Sequence, residues 1–188
     1  MKLFKLTLIF LTLLIISACS SNKTQIHNDI TQDNIITSAS NGATLSIKPV
    51  IYTKNLELRD TVKKECQLLT KLPTFIKNYA AKQYGTINLE SKNSKSGDFL
   101  VLEISGISNA KKNIWTGQGV GQWVTVKGTL LRNGKNIASF KANRATTGGF
   151  MGGYKGTCAL LGRCTKTLGK DIAAWLKKPV NNAQLGDL

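Results

Sequence analysis

Two alternating runs joined by Asn133-Gly134 constrain the fold of this chain more than any other feature. Residues 123–131 and 136–146 switch between apolar and polar side chains along much of their length, the period of a half-buried strand. Asn-Gly between such runs is the strongest short-range hairpin signal, because both residues tolerate positive φ. A two-residue loop would set Val126 opposite Lys141 and mix the faces. A three-residue loop, Arg132-Asn133-Gly134 with a bulge at Lys135, pairs Val126 with Phe140 and Val124 with Ala142. Val124, Val126, Leu130, Ala138, Phe140 and Ala142 then share one face, and the register that separates the faces is the one predicted.

Two stretches carry helical periodicity. In residues 61–84, Val62, Cys66, Leu69, Pro73, Ile76 and Ala80 recur at three and four residues; Pro73 is expected to kink or split this helix, and Gly85 to end it. In residues 158–177, Leu161, Cys164, Leu168, Ile172, Trp175 and Leu176 form an apolar stripe. Lys177 and Lys178 suit the C-terminal end, and Pro179 stops it. Residues 44–52 read as a strand that Pro49 stops or demotes to an edge, and residues 87–90 as a short strand. Residues 99–107 are apolar on both faces, which predicts a central position. The expected class is α+β, an antiparallel-rich sheet of about five strands with two helices on one face. A chain of 188 residues, 41% hydrophobic, holds one such domain and is no disordered polymer.

The N-terminus supplies an address. Lys2 and Lys5 precede an uncharged apolar run at residues 6–16, too short to span a bilayer, which needs about 20 residues, and typical of a secretory signal. Ile16-Ser17-Ala18-Cys19 resembles the bacterial lipobox. The resemblance implies that residues 1–18 are a cleaved signal peptide and that Cys19 becomes the first mature residue, carrying acyl chains such as palmitate. Ser20, where an Asp commonly retains lipoproteins of diderm bacteria at the inner membrane, implies the outer membrane, on its periplasmic side. Residues 19–42 then read as the lipidated Cys and a flexible tether rich in Ser, Asn and Thr; as a coil it averages roughly 26 Å end to end. Residues 43–179 form the domain and residues 180–188 a C-terminal tail.

Further resemblance lies in residues 98–104 (DFLVLEI), 117–121 (GQGVG), 124–130 (VTVKGTL) and 134–138 (GKNIA), which look like a group of small bacterial envelope lipoproteins of unknown function. The element order is similar to penicillin-binding-protein activator lipoproteins and to the N-terminal domain of the Tol-system propeller protein. These families supply no catalytic residues to carry over.

The single histidine, His27, falls in the tether, so Cys66, Cys158 and Cys164 lack a base for nucleophilic catalysis. Three cysteines without a fourth ligand make a poor zinc site, and no metal or cofactor is expected. In an oxidising compartment the same cysteines read as structural. Cys158 and Cys164 would lie about 9 Å apart along a regular helix, so Cys66 is expected to join one of them; a frayed helix start reopens the local pair. Glu57, Asp60, Glu65, Glu90, Asp98, Glu103 and Asp171 match no hydrolase spacing.

The most unusual segment is residues 146–156, where Phe150, Met151 and Tyr154 sit among glycines. It lacks the Gly-Lys-Ser/Thr ending of a phosphate loop. It reads as an anion cradle assisted by Lys155, as an exposed apolar tip for a partner, or as a loop folded back on the core; the expectation adopted is a partner contact. Finally, with Lys2 and Lys5 removed, 24 basic residues face 10 acidic ones, a net charge of +14. The excess is dispersed and not interleaved with stacking aromatics, which argues against nucleic acid and for anionic lipid, lipopolysaccharide or glycan. The expected function is therefore a non-enzymatic, lipid-anchored outer-membrane protein whose basic domain binds or scaffolds another envelope component, a protein or an anionic one. The alternative is a carboxylate-dependent envelope enzyme acting on cell wall or glycan.

Overall fold

A computed structural model describes residues 43–89, 97–108, 121–147 and 155–188. In chain order it contains β1 (Thr44–Ile47), β2 (Ile51–Tyr52), α1 (Asp60–Glu65), α2 (Leu68–Ala80), β3 (Thr86–Leu89), β4 (Asp98–Ile107), β5 (Gln122–Arg132), β6 (Lys135–Thr146), α3 (Thr157–Trp175) and β7 (Ala183–Gly186). The class is α+β, as expected, but the sheet is mixed and has seven strands. Its path is β3-β1-β4-β5-β6-β7, with β2 also on β4. The long β4–β5 and β5–β6 ladders are antiparallel, whereas β1–β3, β1–β4, β2–β4 and β6–β7 are parallel. Parallel neighbours need a crossover; α1 and α2 provide it between β1 and β3, and α3 between β6 and β7. Residues 180–188, expected as a tail, thus supply an edge strand.

The hairpin corrects the predicted loop. Asn133 (φ 50°) and Gly134 (φ 78°) form a two-residue turn with both φ positive, and Arg132 faces Lys135. The extra residue is Ile137, between the pairs Leu131–Asn136 and Leu130–Ala138, so Val126 faces Ala142 and Val124 faces Arg144. A turn of this kind matches the right-handed strand twist, and the bulge three residues on restores the parity of the faces. Both registers put the same six side chains on the core face, and all six are buried.

Gly128 stands opposite Phe140, and a Cβ there would lie 2.2 Å from two atoms of the Phe140 ring. That ring meets Trp175 of α3 edge-on, with centroids 4.7 Å apart, so it cannot retreat without displacing a fully buried indole. Gly128→Ala is expected to destabilise the domain by about 2–3 kcal/mol through overpacking, lowering Tm by roughly 5–10 °C. A thermal melt checks this. Combining it with Phe140→Leu should give less than the sum of the two single losses.

β1 and β2 follow one edge of β4 and are split by Pro49. Ile47 faces Leu100 and Ile51 faces Glu103, so three residues on one side span two on the other. Lys48 N still donates to Leu100 O at 3.0 Å; Pro49, with no N–H, occupies the bulge. β1 itself is not an edge, because β3 lies on its far side. β4 is central, as predicted.

The first helical stretch is split, but not at Pro73. The break falls at Gln67, which is left-handed (φ 52°), while Pro73 sits inside α2. It shifts the stripe by one residue: Leu68, Leu72, Ile76 and Ala80 are buried, while Leu69 and Pro73 are only partly so. α2 packs on α3, and at Gly169 the approach leaves no room for a side chain, since a Cβ there would lie 2.6 Å from Phe75 Cβ. α3 carries the predicted stripe, all of it buried, over β5 and β6.

Candidate functional site

The glycine-rich segment leaves β6 after Thr147 and rejoins the described chain at Lys155, just before α3. Phe150, Met151 and Tyr154, and with them the expected partner contact, lie outside the described residues, as do Cys19 and His27. Lys155 is half-buried at the root of α3. Around this root the structure is heavily tied down. Cys66, at the end of α1, is bonded to Cys158 in the first turn of α3, with Cα atoms 4.8 Å apart and a sequence separation of 92. Of the two partners the sequence offered Cys66, it is Cys158 rather than Cys164.

Cys164 remains a free, buried thiol. Its S–H donates to Gln122 O at 3.4 Å, and burial, with the charge of Asp187 adding, pushes the thiol up to about 11. A neutral thiol of this kind is a packing residue rather than a nucleophile.

Arg144 joins three elements beside that thiol. Its Nε and Nη2 donate to the two Asp171 oxygens at 2.7 and 3.1 Å, and its Nη1 to Asp187 Oδ1 at 2.7 Å. The backbone N–H of Ala145 donates to the other Asp187 oxygen. Asp171 is buried in α3, and the bidentate guanidinium gives both of its oxygens a charge-assisted hydrogen bond. Hydrogen bonding to Asp171, with further attraction from Asp187, raises the Arg144 pKa. A cavity of about 220 Å³ opens here, bounded by Arg144, Thr146, Arg163, Cys164, Thr167 and Asp187.

A second ion pair closes the other end of the sheet. Arg132 Nε and Nη2 donate to Asp98 Oδ1 and Oδ2 at 2.7 and 2.9 Å, and the two residues face each other in the β4–β5 ladder. Among the described residues Asp98 and Asp171 are the buried carboxylates. Arg132 and Val124, the residue opposite Arg144, are eight positions apart on β5, roughly 27 Å at 3.4 Å per residue. The two acids therefore serve separate salt bridges and cannot act as a catalytic pair. Glu103 faces Lys127 across the ladder. Among the described residues no group of three or more potential ligands is placed to hold a metal, and no helix is long and apolar enough to cross a membrane.

Tyr84 lies close to the Arg132–Asp98 pair, and its buried hydroxyl has no hydrogen-bond partner among the described residues. Burial, reinforced by the negative charge of Asp98 and opposed by Arg132, pushes its pKa up to about 12. The folded state thus holds the phenol proton more tightly than the unfolded chain. Tyr84's contribution is fully present below pH ~10 and is lost as pH rises through about 12, a change of roughly 2–3 kcal/mol. Tyr84→Phe is expected to be neutral or stabilising at pH 7 and to remove that share of the alkaline loss, measured by urea denaturation across the pH range.

The sequence reading missed both arginine pairs. Asp98–Arg132 depends on the β4–β5 register, which the structure supplies. Arg144–Asp171–Asp187 depends on how α3 and the C-terminus pack.

No family model and no curated protein sequence matches the chain, so the resemblances in residues 98–104, 117–121, 124–130 and 134–138 rest on those residues alone. Solved structures show a remote likeness. The PelC dodecamer from Paraburkholderia phytofirmans aligns over 71% of this chain and 93% of its own at 12% identity, with a TM-score of 0.45. Protein XCC0632 from Xanthomonas campestris aligns over 71% and 83% at 10% identity, with a TM-score of 0.42. Protein CT253 from Chlamydia trachomatis aligns over 72% and 98% at 8% identity, with a TM-score of 0.43. Likeness at this level says nothing about what the present chain binds or where it resides.

Proposed function

We propose that this protein is a lipid-anchored component of a bacterial outer membrane whose folded domain works by binding another envelope component, without catalysis. The observation that carries the reading is the Cys66–Cys158 bond in a chain that begins with a lipobox-like Ile16-Ser17-Ala18-Cys19. Disulfides persist in exported proteins and are rare where thiols are kept reduced, so the two features point to the same compartment. Several acyl chains on Cys19 would hold the chain at a membrane durably, since one chain alone binds only marginally. The engagement of Asp98 and Asp171 by arginines favours binding over the carboxylate-enzyme alternative.

The test is cellular. Wild-type protein is expected to incorporate labelled palmitate and to yield a defined partner on cross-linking and pull-down. Cys19→Ala is expected to give an unprocessed precursor or a protein without acyl chains. Normal lipidation of that variant would overturn the anchor, and loss of a phenotype on alanine replacement of a domain carboxylate, in a protein that still melts normally, would favour the enzyme.

A further inference from the structure

The lysines that look scattered in sequence are gathered on the helical layer. α2 contains no Asp or Glu, and the one acidic residue of α3, Asp171, is buried and held by Arg144. The solvent side of α3 is basic: Lys166 and Lys170 are exposed, as are Lys177 and Lys178 in the turn that follows. Lys166 and Lys170 stand one turn apart, within about 40° of one another on α3, and with Lys177 and Lys178 in the turn after Trp175 they make a row that extends roughly 14 Å from Lys166 to the helix end. Lys77 and Lys82 are exposed on and just after α2.

We propose that this face of α3 docks on an anionic bilayer surface, with Lys166, Lys170, Lys177 and Lys178 against headgroup phosphates. Three observations favour a laterally continuous charged surface over a discrete site. The row itself is made of lysines, compact charges on flexible stems, with Arg163 exposed on α3 one turn before Lys166, whereas Arg132 and Arg144 are held by internal carboxylates. The row has no aromatic side chain on which a sugar could stack. It is also longer than the Debye length of about 8–10 Å, so its charges act together only on a surface that runs beneath all of them. Each lysine near an anionic membrane strengthens binding about fivefold, so four favour the docked state by several hundredfold. The proposal rests on the anchored reading above for what keeps the domain within reach of the bilayer.

The experiment uses the acylated full chain reconstituted in vesicles of neutral phosphatidylcholine, with or without phosphatidylglycerol. A membrane-impermeant amine-acylating reagent is applied, and modified peptides are quantified by mass spectrometry. Lys166, Lys170, Lys177 and Lys178 are expected to react at least about tenfold more slowly on the anionic vesicles, with protection lost in high salt. Lys127 and Lys141, exposed on the opposite face of the sheet, are expected to react equally on both. In the exposed double variant Lys170→Glu and Lys177→Glu, shown by melting to be folded, Lys166 and Lys178 should lose protection. Equal reactivity on both vesicles, protection centred on Lys127 and Lys141, or protection by a soluble anionic polysaccharide but not by anionic lipid would each overturn the proposal. Failure to associate with neutral vesicles would count against the anchor alone, since the lysine comparison on anionic vesicles still decides the docking.

Discussion

Cys158→Ala is expected to lower the unfolding free energy by about 4–5 kcal/mol. The bond spans 92 residues, and in the chain-entropy model closing a loop of that size removes roughly that much from the unfolded ensemble. It also pins α1 to the first turn of α3, where Cys66 is fully buried. Cys66→Ala should cost a similar amount, and the double replacement little more than either single one. Equilibrium denaturation with and without reductant measures the effect, and non-reducing peptide mapping should find Cys66 linked to Cys158 with Cys164 free. A denaturation midpoint unmoved by reductant would count against the bond. Cys164, with its thiol pushed up to about 11, should resist alkylation at pH 8 until the protein unfolds.

Arg144→Ala is expected to cost about 3–5 kcal/mol, because it strands Asp171 as a buried carboxylate without its partner. The same change frees Asp187, which holds the end of β7 through Arg144 Nη1 and Ala145 N. Amide exchange should therefore accelerate in β7 before it does in β4 or β5. Arg144→Met combined with Asp171→Leu should recover much of the loss, since removing both leaves no buried charge unpaired, Asp187 being exposed and still bonded by Ala145 N. If the single and double variants were equally unstable, the penalty would lie in packing rather than in the charge. Loss of β7 would leave β6 as an exposed edge, so the single variant is also expected to aggregate more readily.

Local periodicity was enough to place every buried side chain of the hairpin on its face, because strand parity survives any even shift in register. It was not enough to choose the register. Reading the extra residue at Lys135 rather than Ile137 moved every pair by two, and a pattern of period two cannot see such a shift. Likewise the stripe of α3 was legible at each position, whereas the helix break at Gln67 was not. Proline is a visible signal, but a left-handed glutamine next to a tethered Cys66 is a consequence of packing.

The alternation of β4, β5 and β6 and the amphipathic face of α3 were determined by the sequence alone, since each rests on contacts within a few residues, whereas the choice of Cys158 as the partner of Cys66 came from the structure. The parallel partners β3 and β7 and the union of Arg144 with Asp171 and Asp187 were decided only by the tertiary structure. These features join positions tens of residues apart. Spacing along the chain carries no information about them until the helices have crossed the sheet and brought them together.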